Sequence, residues 1–285
     1  MVVKLGYKQT DVGIVPDDWD VKPLSQLGQF KNGINKGKQD FGHGSPFINL
    51  MDVFGVPKVS TASTDFGLVN SSEAERQLYE LREGDVLFVR SSVKPEGVGL
   101  TTLIPRDLPE TVFSGFLIRF RDTGLLDNAF KEYCFGEEGF RGRLISNSTV
   151  SANTNINQAA LKQIQIAFPA TLLEQHAIAT ALSEVDSLLG ALDRLINKKR
   201  DLKQAAMQQL LTGQTRLPGF QSEWEKKRLG DFGSFFKGSG IRKDEVVTEG
   251  LPSIRYGEIY THHQDHVRAF NSFITPETAK RSQRV

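Results

Sequence analysis

Residues 172–211 read LLEQHAIATALSEVDSLLGALDRLINKKRDLKQAAMQQLL, forty residues with no proline and one glycine, Gly190. Apolar side chains at Ile178, Leu182, Val185, Leu189, Leu192 and Ile196 alternate gaps of four and three, the seam of a coiled coil or of two packed helices. Leu188, Leu195 and Leu202 add a second stripe seven apart. Thr212 and Gly213 supply a stop, and Pro218 with Gly219 ends any helical continuation. At about 1.5 Å per residue the segment predicts a rod about 60 Å long. Two apolar stripes must both be covered, because that surface is costly to leave in water. The rod therefore either lies on its own flanking domains or pairs with another long helix; the second reading is taken here.

What flanks the rod is repeated. Trp19, Leu24, Leu27, Gly28, Phe30 and Gly33 recur as Trp224, Leu229, Phe232, Gly233, Phe235 and Gly238, each displaced by 205 positions. One inserted residue then aligns Gly44, Pro46, Ile48, Asp52 and Val53 with Gly250, Pro252, Ile254, Glu258 and Ile259. The end of the sequence falls opposite Tyr79, so the material matching Glu80 onward occurs once. Two similar modules are expected, with the stretches around the two tryptophans folding alike.

The first copy reads as strands and turns. Asp85–Arg90, Phe113–Phe120 and Ile164–Phe168 are short β-rich runs punctuated by Gly84, Pro95, Gly97, Gly99 and Pro105. Glu73–Leu81, Asn128–Phe140 and Gln158–Lys162 are expected helices. The predicted fold class is α+β: a mixed-sheet domain over residues 1–168, a helical spacer over 169–215, and an incomplete second copy over 216–285.

Bulk composition sets bounds. With 285 residues, 39% of them hydrophobic, the chain can build ordinary cores. No run approaches the roughly 18 apolar residues that cross a bilayer, and Met1-Val2-Val3-Lys4 opens no signal core, so a cytoplasmic protein without membrane contact is expected. Cys134 is the only cysteine, which rules out an internal disulfide and a Cys-rich zinc site. Lys plus Arg number 35 against 34 for Asp plus Glu, so only a local patch would argue for a polyanionic partner.

Pro169-Ala-Thr-Leu-Leu-Glu-Gln175-His-Ala-Ile178 at the rod's start, Gly13-Ile-Val-Pro16-Asp-Asp-Trp19, Glu83-Gly84-Asp85-Val-Leu-Phe88 and Asn155-Ile-Asn-Gln158 stand in that order within the repeat. Together they resemble the specificity subunits of type I restriction and modification systems, over essentially the whole chain. The resemblance implies a non-catalytic, cofactor-free protein whose target-recognition domains each read half of a split site in double-stranded DNA. It also implies that the helices act as a ruler and dock two methyltransferase subunits, and that a restriction subunit joins the assembly. The sequence departs from the family pattern in its second recognition domain, which stops after about a third.

A DNA reader needs basic groups for phosphates and planar polar groups for base edges. One candidate loop holds Lys31, Asn35, Lys36, Lys38 and Gln39. A second holds Arg90, Ser91, Ser92 and Lys94, and a third Arg141, Arg143, Asn153 and Asn155, with Ser146 and Asn147 nearby. Each is read against the alternative of a solvated turn. On the rod, Arg194, Lys198, Lys199, Arg200 and Lys203 face Asp193 and Asp201, either a phosphate-leaning stretch or a solvated helix face.

Catalytic signatures are mostly missing: no dinucleotide fingerprint, no nucleotide phosphate loop, and no string of the kind adenine methyltransferases use on a flipped base. Asp17, Asp20 and Lys22 mimic a metal-dependent nuclease set, but that site gathers its parts from separate strands. His262, His263 and His266 with Asp265 are read as a polar loop in preference to a metal site. The rival functions are thus a nuclease using Asp17, Asp20 and Lys22, and a coiled-coil adaptor with no DNA role. A homodimer through antiparallel rods is a further expectation, its two-fold axis mirrored in an inverted-repeat site.

Overall fold

The computed structural model describes residues 4–59, 66–238, 240–263 and 266–281. The chain divides into two compact units, residues 1–199 and 200–285. The first opens with β1 (Tyr7–Thr10), β2 (Gly13–Pro16), β3 (Trp19–Pro23), the one-turn helix α1 (Leu24–Leu27) and β4 (Gly28–Asn32). Then come β5 (Phe41–Ile48), α2 (Leu50–Val53), β6 (Gly67–Val69), α3 (Glu73–Tyr79), β7 (Val86–Val89), β8 (Ser91–Ser92) and β9 (Thr101–Leu103). The unit continues through β10 (Val112–Phe113), β11 (Leu117–Asp122), α4 (Asn128–Cys134), α5 (Glu138–Ser146), β12 (Thr149–Val150), β13 (Thr154–Asn155), α6 (Gln158–Gln163) and β14 (Gln165–Pro169). The rod, α7, is one helix from Leu172 to Leu211, and Gly213 beyond it takes a positive φ of 75°. Such a left-handed residue just past a helix is the usual stop, and glycine adopts it without a Cβ penalty.

The centre of the first unit is a four-stranded antiparallel sheet in the order β4-β11-β7-β9. Side chains of a strand alternate between faces, and β7 is covered on both. Val86 and Phe88 join a core with Phe30, Ile118, Phe120, Phe135, Phe140, Leu161 and Phe168, while Leu87 and Val89 join another with Ile48, Val53, Ile104 and Phe113. A smaller mixed sheet sets β5 between parallel β10 and antiparallel β6. Two ion pairs inside the unit offset the cost of desolvating their charges. Arg121 donates twice to Asp85 at 2.7 Å, and the buried Lys131 ammonium donates to Asp122 at 2.5 Å and to the Gly84 carbonyl at 2.8 Å.

The α+β class stands, and three details differ from the sequence reading. The run 113–120 is divided between sheets, because Val112–Phe113 pairs with β5 and the chain turns through Ser114–Phe116 before β11 begins. The helix expected over 128–140 breaks at Phe135–Gly136, since the Glu137 carboxylate accepts from the Gly139 and Phe140 N–H groups at 2.6 Å each and starts α5. The third difference lies in the second unit.

In that unit β15 (Val246–Val247) and β16 (Leu251–Ser253) both pair antiparallel with β17 (Ser272–Ile274), with α8 (Tyr256–Thr261) between them and α9 (Pro276–Arg281) at the end. This repeats β5–α2–β6. Ser45, Pro46 and Phe47 pair with Val69, Leu68 and Gly67, and Leu251, Pro252 and Ser253 with Ile274, Phe273 and Ser272. Gly44 and Gly250 both have positive φ, and a Cβ on either would lie 2.5 Å from the carbonyl oxygen of Val69 or of Ile274. The two tryptophan stretches, however, fold unlike each other. Trp19 opens a strand paired with β14 and Leu24 and Leu27 are fully buried, whereas residues 224–238 carry only a 3-10 turn, Leu229–Asp231. The physical reason is pairing: β3 and β4 are held by β14 and β11, and residues 212–285 contain the sequence match of neither.

Candidate nucleic-acid interface

The loop after β4 is fixed first. Ile34 donates its backbone N–H to Phe113 at 2.9 Å, and Gly115 donates to Ile34 at 2.8 Å. Gly115 leaves room for Asn35, whose side-chain oxygen would stand 2.0 Å from a Cβ there. On the far side of the 114–116 turn, Arg90 donates its backbone N–H to Phe116 at 2.8 Å and a guanidinium N–H to Gly115 at 3.3 Å. Beyond Arg90 the strip continues as a small antiparallel sheet in which Ser91 and Ser92 pair with Asn155 and Thr154, and these with Thr149 and Val150. Ile156 closes the edge by donating to the Arg90 carbonyl at 2.9 Å.

Five adjacent backbone segments thus bring Asn35, Arg90, Ser91, Ser92, Asn153 and Asn155 into one strip. Lys94 is exposed at the start of the 3-10 turn that follows β8, and Asn153 and Asn155 sit at the β12–β13 turn, where Asn155 Nδ2 donates to the Asn153 carbonyl at 3.0 Å. Lys38 and Gln39 are exposed on the 3-10 turn Lys38–Asp40. The sequence reading missed the apolar members. Phe116, Val93 and Val150 are 59%, 81% and 73% exposed on this strip. The signal available was an aromatic residue directly after Ser114-Gly115, between two strands.

Other candidates are turned to internal work. Lys36 lies 2.8 Å from Glu75, and that contact, with the Ser72 backbone N–H, holds the Glu75 carboxyl below its ordinary range. Lys31 sits over the Tyr79 ring at 5.1 Å. Arg141 donates to the Glu96 carbonyl at 2.8 Å and Arg143 to the Gln165 carbonyl at 3.3 Å, and both are half-buried. Asp20 pairs with Lys22 at 2.8 Å on β3, and Lys8 binds the Asp17 and Trp19 carbonyls at 2.7 and 2.6 Å. Among the described residues no group of three His, Cys, Asp or Glu is placed to hold a metal. His262, His263 and His266 border a small cavity with Arg268, which donates to His266 Nε2 at 2.7 Å; Asp265 lies outside the described residues. Burial pushes the Cys134 thiol well above its ordinary value.

The rod is anchored at its first turns. Trp19 Nε1 donates to Glu174 at 3.1 Å, and His176 meets Asp127 at 3.3 Å. The Gln175 amide, 1% exposed, donates to the Leu125 and Pro169 carbonyls and accepts the Asp127 N–H. Ala179 is buried and Ile178 packs on the core, and two turns further Tyr133 donates to Asp186 at 2.9 Å. Past these contacts the seam is open: Leu182, Val185, Leu189, Leu192 and Ile196 are 41–54% exposed, and Leu188, Leu195 and Leu202 of the second stripe 50–59%. Among the described residues no helix is long and apolar enough to cross a membrane.

The family model for the type I restriction modification DNA specificity domain matches residues 16–199. The type I restriction enzyme MjaIX specificity subunit of Methanocaldococcus jannaschii is 25% identical over 272 residues, covering 87% of this chain and 60% of that protein. A putative MjaX specificity subunit of the same organism is 25% identical over 250 residues, covering 79% and 55%. The chain therefore spans less than two thirds of the length of these relatives. A chain from a solved structure concerned with complex assembly and conformational transition of the type I R-M system superposes with a TM-score of 0.50 at 18% identity, over 68% of this chain and 46% of that one. That likeness is one of fold.

Proposed function

From the premise that this chain belongs to the type I restriction modification DNA specificity domain family, we propose that residues 1–168 form a target-recognition domain reading one half of a bipartite site in double-stranded DNA. The observation that carries this is the strip from Asn35 through Arg90 and Ser91 to Asn155, where hydrogen-bonding side chains stand on braced backbone beside the exposed ring of Phe116. Adjacent strands lie about 4.8 Å apart, so four gaps span about 19 Å. At about 3.4 Å per base pair this is the footprint of roughly five to six pairs, a half-site. Asn35 and Asn155 suit adenine edges, Arg90 guanine or phosphate, and Phe116 a thymine methyl. Lys94, Lys38 and Gln39 stand at the margins for backbone contacts. Lys31, Lys36, Arg141 and Arg143 support these loops from within.

Residues 169–215 are the spacer that sets half-site distance and docks methyltransferase subunits, to which a restriction subunit is recruited; residues 216–285 begin a second recognition domain. The chain itself performs no catalysis. The open seam of α7 favours a second arrangement as well, in which two copies pair antiparallel and present two first domains to an inverted repeat. The test is mapping methylated adenines in cells that express the chain with a methyltransferase partner. Modification at one defined motif, lost on joint replacement of Asn35 and Asn155 by alanine, is the expected result. Motif-independent modification, or an unchanged motif in the double variant, overturns the reading.

A further inference from the structure

In the central sheet of the first unit β4 is an edge strand, paired on one side with β11. Backbone groups along a strand point alternately to its two sides. The Gly33 N–H donates to the Leu117 carbonyl of β11 at 3.1 Å, so the Phe30 carbonyl and the Asn32 N–H face the other way. Among the described residues no strand pairs with that edge. The side chain of Gln158, the first residue of α6, does so instead. Its Nε2 donates to the Phe30 carbonyl and its Oε1 accepts the Asn32 N–H, both at 3.1 Å. One amide thus supplies the donor and the acceptor that a neighbouring strand would supply.

This contact closes a ring. Asn35 follows Asn32 by three residues, in the segment that pairs with Phe113–Gly115. Phe116 accepts from Arg90, the Arg90 carbonyl accepts the Ile156 N–H, and Gln158 follows Asn155 by three residues and returns to Asn32. Three residues reach at most about 10 Å. The asparagines at the two ends of the strip therefore hang on short arms from one amide. Protection of an edge strand alone would be met by a charged side chain. Bonding in both directions is more demanding, since a carboxylate cannot donate and an ammonium cannot accept.

We infer that Gln158 is a positioning residue for the recognition strip, setting the separation of Asn35 and Asn155 without itself reading a base. The inference rests on the reading of residues 1–168 as a target-recognition domain.

The test compares Gln158→Leu and Gln158→Glu in the full chain with the parent. Leucine keeps a good helix former at the start of α6 and removes both bonds; glutamate keeps only acceptance of the Asn32 N–H. Exchange of the Asn32 amide, read by nuclear magnetic resonance, should be at least about tenfold faster in Gln158→Leu and near the parent rate in Gln158→Glu. Methylated adenines are then mapped in cells that also express a methyltransferase partner. Gln158→Leu should relax the motif at the base positions that Asn35→Ala relaxes, and Gln158→Glu should relax it less. Leu161→Val, which thins the core beneath the same helix, is the control: it should lower the melting temperature at least as far and leave the motif unchanged. Unchanged Asn32 exchange in Gln158→Leu, an unchanged motif in that variant, or equal relaxation in the Leu161→Val control would each overturn the inference. A parent chain that directs modification to no defined motif removes the DNA reading and this role with it, and the exchange difference then stands as a property of the edge alone.

Discussion

Gln175 accepts the backbone N–H of Asp127 at 2.8 Å while its own amide donates to two further backbone carbonyls, so one buried side chain ties the rod's first turn to the loop before α4. Removing the amide strands one donor and two acceptors in an enclosed site, where each unsatisfied group costs about 1–3 kcal/mol. Gln175→Ala should lower the stability of the first unit by about 3 kcal/mol, and Gln175→Glu by at least as much, because a carboxylate cannot donate to the Leu125 and Pro169 carbonyls. Denaturant unfolding followed by circular dichroism reads this. A loss below about 0.5 kcal/mol would mean that the amide does not brace the rod.

Two glycines of the proposed recognition strip separate stability from recognition. At Gly33 a Cβ meets backbone oxygens at 2.2 and 2.3 Å, so Gly33→Ala forces strands apart and should cost about 3 kcal/mol. At Gly115 the obstacle is the tip of Asn35, which can swing away. Gly115→Ala should therefore leave the melting temperature within about 2 °C, a change of under about 1 kcal/mol, while displacing Asn35 and altering the methylated motif. An unaltered motif in a stable Gly115→Ala protein would remove Asn35 from the reading set.

The rod was legible to the residue, from Leu172 to Leu211, because a forty-residue apolar period without proline has one regular solution. The recurrence of Gly44, Pro46, Ile48, Asp52 and Val53 near residues 250–259 was legible too, but the strand–helix–strand unit it marks was not, and residues 254–260, strand-like by composition, run into helix α8 instead. The unequal fate of the two tryptophan stretches was not legible either, since a strand's existence depends on a partner far along the chain, and composition is silent about that. The candidate loops were found as loops, but Lys36, Arg141 and Arg143 could not be told from Lys38 and Lys94 by type. Only the packing reveals that Glu75 and the carbonyls of Glu96 and Gln165 engage them. Conversely Phe116 and Val150, apolar residues expected inside, face outward.

Cys134 provides a pH prediction. Its thiol is ordinarily half-ionised near pH 9.0, and burial raises that value in the folded protein. The folded chain then binds more protons than the unfolded one above the unfolded value, so stability is unaffected below about pH 9 and falls as pH rises beyond it. Cys134→Ala should flatten this alkaline decline. In the native protein at pH 8 the thiol should react with iodoacetamide at least about a hundredfold more slowly than in denaturant. Rapid labelling of the native protein would contradict the raised value.

The open seam of α7 gives the last prediction. Leu182 and Leu189 are 41% and 54% exposed and lie two helical turns apart on one stripe, so lysine at both positions removes apolar contact surface without entering the core of the first unit. Such exposed changes alter stability by about 0.5 kcal/mol or less each. Association is different: each leucine lost from a helix–helix seam, and each ammonium forced into it, costs about 1.5–3 kcal/mol. The double variant should thus melt like the parent yet bind the proposed methyltransferase partner, or a second copy of itself, at least about a hundredfold more weakly by sedimentation velocity. If both associations persist while Leu188→Lys with Leu195→Lys abolishes them, the second stripe is the contact and the first a solvated face. If neither pair matters, the rod is a spacer that touches no partner along its length.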